Sequence, residues 1–233
     1  MKSEFPPPQG EGEGGGRMNL LLYGAPGSGK GTQANMLRTH FGIPHIATGD
    51  MLRAEIQAGT EFGRLAQPIL AAGQYVSDDI MIAIINNRLR QPDSKRGFII
   101  DGFPRTIPQA TALDTLMGGL GRRFDRVLYL KVDTDELLRR LSGRLVCPKC
   151  QRTYPPATAA CAADGSALVQ RDDDKAEAVK PRIEIYLNKT IPVLEHYRGE
   201  GLVSEIDGTG TIDEISRQVL AAVTAPTTNR QTA

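Results

Sequence analysis

The chain has 233 residues, 40% of them apolar and 24% charged, with 28 lysines and arginines against 27 acids. That is enough to bury a sizeable core in one large domain with a small insertion, while a net charge of +1 gives no whole-protein field for a nucleic acid or a membrane. No run approaches the roughly 18 apolar residues of a spanning helix, and the N-terminus lacks the apolar centre of a signal peptide, so a cytoplasmic protein is expected.

Residues 1–17, MKSEFPPPQGEGEGGGR, are rich in Gly, Pro and Glu and nearly devoid of apolar side chains, which predicts a disordered tail. The stretch 225–233 is read the same way. Between them, residues 18–224 read as one domain that starts folding at Met18. Short apolar runs alternate with helical patterns: 18–23 then 30–40, 97–101 then 108–117, 126–132 then 135–144, and 202–207 then 212–222. Strand runs unbroken by polar residues, each followed by a helix, predict an α/β fold with a parallel sheet covered on both faces.

Two segments interrupt the alternation. Residues 48–90 hold three successive helical patterns, the last opening at Ser77-Asp78-Asp79 with a cap residue and acids in its first turn. Residues 145–170 lack a helical period and carry Pro148, Pro155, Pro156 and Gly165, which predicts a small loop or hairpin module.

Gly24 to Lys30 fits G-x-x-x-x-G-K between an apolar strand and a helix, the setting of a phosphate-binding loop. Its glycines let backbone N–H groups wrap a phosphate, the helix offers its positive end, and Lys30 adds a mobile cation. The sheet is thus expected to be of the P-loop NTPase type. The spacing of Gly27, Gly29 and Gly31 does not fit the dinucleotide fingerprint G-x-G-x-x-G, and Asp50 sits in a loop opening a helix rather than at a strand end. The hydroxyl usual after the lysine is displaced by Gly31 to Thr32, so Mg²⁺ is expected to rest more on water and phosphate, with Asp101 orienting the waters.

All three cysteines fall in Cys147-x₂-Cys150-x₁₀-Cys161-x₂-Asp164. Three thiolates and a carboxylate suffice for a closed tetrahedral Zn²⁺ site, although Fe²⁺ and Co²⁺ also suit thiolates. Such a site is structural, and a module of about 26 residues, too small to own a core, is where metal substitutes for buried apolar area.

Gly24-Ala-Pro-Gly-Ser-Gly-Lys-Gly-Thr-Gln33, Thr48-Gly-Asp-Met-Leu-Arg53, Asp101-Gly-Phe-Pro-Arg-Thr-Ile-Pro-Gln109 and Gly143-Arg144 occur in this order and together resemble the adenylate kinases, over Met18 to about Ala222. The resemblance implies phosphoryl transfer from Mg-ATP to AMP giving two ADP. It also implies a core (18–46, 77–143, 171–224), an AMP-binding region (47–76) and a mobile lid (144–170) that in some members holds zinc with Asp as one ligand. Carried over, Gly27, Ser28, Gly29, Lys30, Gly31 and Thr32 hold the ATP phosphates, and Thr153, Tyr154 and Gly210 flank the adenine. Thr48, Arg53, Gln74, Tyr75, Val76, Gly102, Phe103, Pro104, Arg105 and Gln109 line the AMP site. Arg144, Arg171 and Arg182 close over the phosphates, and Arg140 faces the reaction. A monomer is expected.

Arginine suits this chemistry because it never deprotonates and grips phosphate through two parallel hydrogen bonds. Arg140 and Arg144, four apart, are expected on one helix face; Arg171 and Arg182, eleven apart, would share a face if one helix carried both, although Pro181 is placed to kink that helix. No general base is needed, because a monophosphate ionises near pH 6. His40, His45 and His196 are read as structural or surface groups. A GTPase switch is disfavoured: Asn188-Lys189 lacks the aspartate at 191, and the only D-x-x-G, Asp207 to Gly210, comes after it. A zinc-ribbon nucleic-acid binder would want aromatics and clustered basic residues, whereas Tyr154 is the only aromatic of the module. Within the kinases, a UMP or CMP acceptor or a GTP donor stays open.

Overall fold

The computed structural model describes residues 17–225, the side chain of Ala176 excepted. The expected tails, 1–17 and 225–233, lie outside it but for Arg17 and Ala225. Among the described residues, five strands form one parallel sheet in the order β2 (His45–Ala47), β3 (Gly97–Asp101), β1 (Met18–Tyr23), β4 (Arg126–Lys131), β7 (Val203–Asp207). Side chains alternate across a strand, and in β1 this sends Leu20 and Leu22 to one face and Leu21 and Tyr23 to the other, all buried. The first face is covered by α1 (Lys30–Phe41) and α9 (Ile212–Thr224) through Leu37, Ile215 and Val219. The second is covered by α4 (Asp78–Leu89), α5 (Ile107–Gly119) and α8 (Ile191–Gly199) through Ile85, Leu113 and Val193. Burial on both sides is why the strands read as unbroken apolar runs.

The connection after β1 runs to one side of the sheet and that after β3 to the other, opening a crevice beyond the carboxyl ends of two adjacent strands. Two pieces overhang it. One is the pair α2 (Thr48–Gln57) and α3 (Glu61–Ala71), locked at Gly63, where a Cβ would stand 2.1 Å from the Glu55 carbonyl oxygen. The other follows α6 (Thr134–Ser142): an antiparallel hairpin of β5 (Leu145–Val146) and β6 (Thr153–Tyr154) with the cysteine loops. A 3₁₀ turn (Asp172–Asp174) then leads into α7 (Ala176–Ile185), and a π turn (Tyr186–Thr190) joins α7 to α8.

Several expectations need correction. α6 stops at Ser142, so Arg144 lies past the helix that carries Arg140, on the link into β5. α7 starts at Ala176, so no single helix holds Arg171 and Arg182. Pro181 sits inside α7. Ser77 occupies the N-cap position of α4 but makes no side-chain cap bond; the Asp78 carboxylate is turned instead to Thr106 and Gln109. The three-residue β2 lies within a stretch where no strand was expected. No helix of the described residues is long and apolar enough to cross a membrane.

β1 and β3 meet so closely at Met18 and Gly97 that a Cβ on Gly97, whose φ is +135°, would stand 2.2 Å from the Met18 carbonyl oxygen. Gly97→Ala is expected to lower the unfolding free energy by more than about 1 kcal/mol, read from urea denaturation, with a wild-type midpoint counting against this register.

Candidate active site

β1 delivers the chain to the crevice at Tyr23, and α1 begins seven residues later at Lys30. The turn between them is possible because Gly27 and Gly29 take φ of +86° and +94°, conformations that other residues rarely adopt. Around Gly29 and Gly31 an added Cβ would meet nothing within 4 Å, so the loop backbone faces open space. In the opening turn of α1 the N–H groups of Thr32 and Gln33 bond to the Gly29 carbonyl (3.1 and 3.2 Å), which leaves those of Lys30 and Gly31 without a backbone partner among the described residues, at the positive end of the helix. The Ser28 hydroxyl is fully buried and has no hydrogen-bond partner among the described residues. Lys30 donates to the carbonyls of Gly24 (2.8 Å) and Ala25 (3.0 Å). Burial lowers the pKa of its ammonium to about 8, against the pull of Asp101 and with the push of Arg105, Arg182 and Arg144. Unpaired N–H groups at a helix start, an orphan hydroxyl and a desolvated cation are the chemistry that an anion can satisfy.

Asp101 ends β3 beside the end of β1, with Leu22 its register partner. Burial pushes its carboxyl up, but the His45 hydrogen bond and the Lys30 charge outweigh burial and hold its pKa below the ordinary value. His45, read from sequence as a structural or surface group, comes from β2 to place Nε2 3.3 Å from Asp101. Beyond β3, Thr48 donates to the Gly102 carbonyl (2.9 Å), Arg105 Nε donates to the same oxygen (2.6 Å), and the Arg105 guanidinium lies 4.7 Å over the Tyr75 ring. Gln109 is almost wholly buried: its amide donates to Asp78 (2.7 Å) and accepts from the Arg105 N–H (2.7 Å).

The arginines arrive from separate elements and are spaced by acids. Arg144 grips the buried Asp174 through two bonds, of 2.7 and 2.5 Å. Arg182 reaches Asp174 (3.0 Å) and Asp173 (2.8 Å). Arg53 pairs with Asp50, and Arg171 stands 3.8 Å from the same carboxylate. Burial, with the charges of Arg53 and Arg144, lowers the pKa of Arg171 to about 10. Arg140 holds Glu136 at 2.6 Å; Arg139 and Arg140 together bring that carboxyl to about 2. These acids were not anticipated as partners, although the run Asp172-Asp173-Asp174 directly after Arg171 was a legible signal.

One cavity of about 1200 Å³ connects these parts. Every residue expected in the nucleotide sites lines it, from Gly27 and Lys30 to Arg53, Arg140, Arg182 and Gly210, as does Asp101. The hairpin borders it through Thr153, Tyr154 and Cys150.

Behind that border the four residues expected as metal ligands come together. Donor atoms of Cys147, Cys150, Cys161 and Asp164 all lie within 4.8 Å of one another. The Cys150 and Cys161 sulfurs are 3.5 Å apart, and Cys147 Sγ is 3.4 Å from Asp164 Oδ2. Tetrahedral Zn–S bonds of about 2.3 Å put ligands about 3.7 Å apart, so the set fits that ion. The N–H groups of Cys150 and Ala163 each point at a cysteine sulfur at 3.4 Å, as suits thiolates. A second His and carboxylate group, Asp114, His196 and Glu200, lies away from the cavity.

A family model described as Adenylate kinase matches residues 22–202. An adenylate kinase of Trichlorobacter lovleyi is 48% identical over 212 residues, covering 88% of this chain and 99% of the relative. That of Methanocella arvoryzae is 44% identical, covering 88% of this chain and 98% of its own length. That of Methanothrix thermoacetophila is 45% identical, covering 87% and 96%. Matches of this extent, on a parallel sheet that ends in a phosphate loop, settle the family: the chain belongs to the adenylate kinases.

Proposed function

We propose that the chain reversibly transfers the terminal phosphoryl group of Mg-ATP to AMP, giving two ADP. The observation that carries this reading is the single cavity shared by a phosphate loop and a ring of arginines. At about 1200 Å³ it exceeds the range of about 300–1000 Å³ common for a site holding one small ligand, which supports two nucleotides meeting phosphate to phosphate.

The donor's phosphates would lie in the cradle of Gly27 to Thr32, its base between Tyr154 with Thr153 and the backbone at Gly210. The acceptor would lie against Thr48, Arg53, Gln74 to Val76 and Gly102 to Arg105, with Gln109 at the base edge. Two facing polyphosphates bring several negative charges within a few ångströms, so transfer depends on cations fixed beforehand along the line of attack. Lys30 would follow the moving group, while Arg105, Arg140, Arg144, Arg171 and Arg182 spread the charge of the transition state. Magnesium bound with ATP would supply positive charge against the phosphates, and Asp101, kept ionised beside Lys30, would be the carboxylate that orients its waters. No side chain has to take a proton, because the acceptor oxygen is already ionised at neutral pH.

The acceptor region (47–76) and the lid (144–170) both border the cavity, which supports their closing over it to keep water from the donor. Zinc at Cys147, Cys150, Cys161 and Asp164 would give the lid the cohesion its size denies it. Residues of this one chain line both proposed nucleotide positions, so action as a monomer would need no side chain from a second copy.

A coupled assay decides the substrates: ADP is expected from ATP and AMP with magnesium, and UMP, CMP or GMP as acceptor, or GTP as donor, should run at least about tenfold slower, the effect of about 1.4 kcal/mol in transition-state binding. Absence of ADP from folded, metal-loaded enzyme would sink the reading. Donor phosphates bind the charged form of Lys30, so ATP affinity should hold below pH 8 and fall by up to about tenfold per unit above it. Calorimetry in buffers of different ionisation heat at pH 8.5 should show proton uptake on binding, and a flat profile without uptake counts against it. Stripping metal from the reduced protein is expected to lower Tm by about 5 °C or more, roughly 2 kcal/mol for a domain of this size, with ATP still bound at the loop; an unchanged melting curve would remove the metal from the account.

A further inference from the structure

We infer that Thr190 and Tyr75 are positioning residues for Arg105, linked to it by a directed chain of hydrogen bonds, and that the π turn between α7 and α8 is what brings Thr190 to that place. The inference rests on Arg105 serving the acceptor phosphate, as proposed above.

Thr190 is 5% exposed and lies 85 residues from Arg105 in sequence, yet its Oγ1 is 3.2 Å from the Arg105 carbonyl oxygen. The same Oγ1 is 3.0 Å from the Tyr75 hydroxyl. A threonine hydroxyl has one proton and a carbonyl can only accept, so the bond to Arg105 consumes that proton. The bond between the two hydroxyls is therefore donated by Tyr75. The chain runs in one direction, from Tyr75 to Thr190 to Arg105, and each bond polarises the next. The ring of that tyrosine simultaneously lies under the Arg105 guanidinium at 4.7 Å.

Arg105 is consequently held at four points: its N–H by Gln109, its carbonyl by Thr190, its Nε by the Gly102 carbonyl, and its guanidinium face by Tyr75. None of these uses its two terminal nitrogens, which are the pair that can grip a phosphate in parallel. Tyr75 closes the acceptor region and Thr190 belongs to the sheet-packed body, so the chain also ties one to the other across the cavity wall.

Local sequence explains how Thr190 gets there. Pro192 has no N–H, so an α-helical path would leave the Asn188 carbonyl, four residues back, without its partner. The chain instead widens, and the Ile191 N–H bonds five residues back to the Tyr186 carbonyl. A residue turns an α-helix by about 100°, so an uninterrupted helix would send the Thr190 hydroxyl to another side.

The test is steady-state kinetics with AMP varied at saturating ATP, then ATP varied at saturating AMP, alongside Tm, for Thr190→Val, Thr190→Ser and Tyr75→Phe. Valine keeps the branched shape and removes the hydroxyl. It is expected to lower kcat/KM for AMP about tenfold, the effect of one lost hydrogen bond, while KM for ATP stays within about twofold. Thr190→Ser should restore most of the loss. Tyr75→Phe keeps the ring and should cost about threefold, with no further loss when added to Thr190→Val. Wild-type AMP kinetics in Thr190→Val, equal losses for AMP and ATP, or failure of serine to rescue would each overturn the inference, whatever happens to Tm. Should Thr190→Val not fold, unaltered AMP kinetics in Tyr75→Phe would overturn it alone. A wild-type enzyme that does not use AMP would overturn the proposed function instead.

Discussion

Like charges brought together out of water repel, and this site gathers Lys30 with Arg53, Arg105, Arg140, Arg144, Arg171 and Arg182 around one cavity. The repulsion is visible in the depressed pKa of Lys30 and Arg171, to which burial contributes first and neighbouring cations next. What makes the arrangement tolerable is a set of carboxylates threaded between the cations: Asp50, Asp173, Asp174 and Glu136, each against one or more arginines. Among these only Asp174 is fully buried, and removing one partner of such a buried pair typically costs about 3–5 kcal/mol. Under the proposed function, an incoming polyphosphate would replace part of that internal compensation with its own charge.

Every piece of the apparatus is held by the parallel sheet. Because all five strands point the same way, the carboxyl ends of β1, β2 and β3 come side by side, and with them the loop before Lys30, Asp101 and the start of α2. Both faces of the sheet are occupied by packed helices, so the loops can be unusual without endangering the frame. The segment 145–170 has no such support. Its regular elements are the two-residue strands β5 and β6, and Cys147, Cys150, Cys161 and Asp164 all sit on loops, with Cys147 and Cys161 buried.

Much of this was legible in the sequence, because glycines at fixed spacing, a lysine at a helix start and unbroken strand runs each have one physical cause. The convergence of Cys147, Cys150, Cys161 and Asp164 was legible too, because two thiols at knuckle spacing and a second residue pair of the same spacing suit one small cluster. What escaped depends on contacts distant along the chain. β2 is too short to show a pattern and exists because Ile46 and its neighbours pair with Ile99 to Asp101. The helical ends at Ser142 and Ala176 moved Arg144 and Arg171 off the helices that spacing had suggested, since spacing measures phase only while a helix lasts. The role of Asp174 as common counter-ion to Arg144 and Arg182 needs three segments brought together, and a lone sequence shows only an acidic triplet.

The brevity of β2 also bears on how the molecule avoids sticking to copies of itself. A sheet margin is a row of unpaired amides that another chain can extend, and long flat margins aggregate. Here one margin offers only three residues. The opposite margin, β7, carries Glu205 and Asp207, with Glu205 engaged by Arg198 and Lys131. Neither border offers a foreign strand a long uncharged template, so the two edges of the sheet resist extension by another copy.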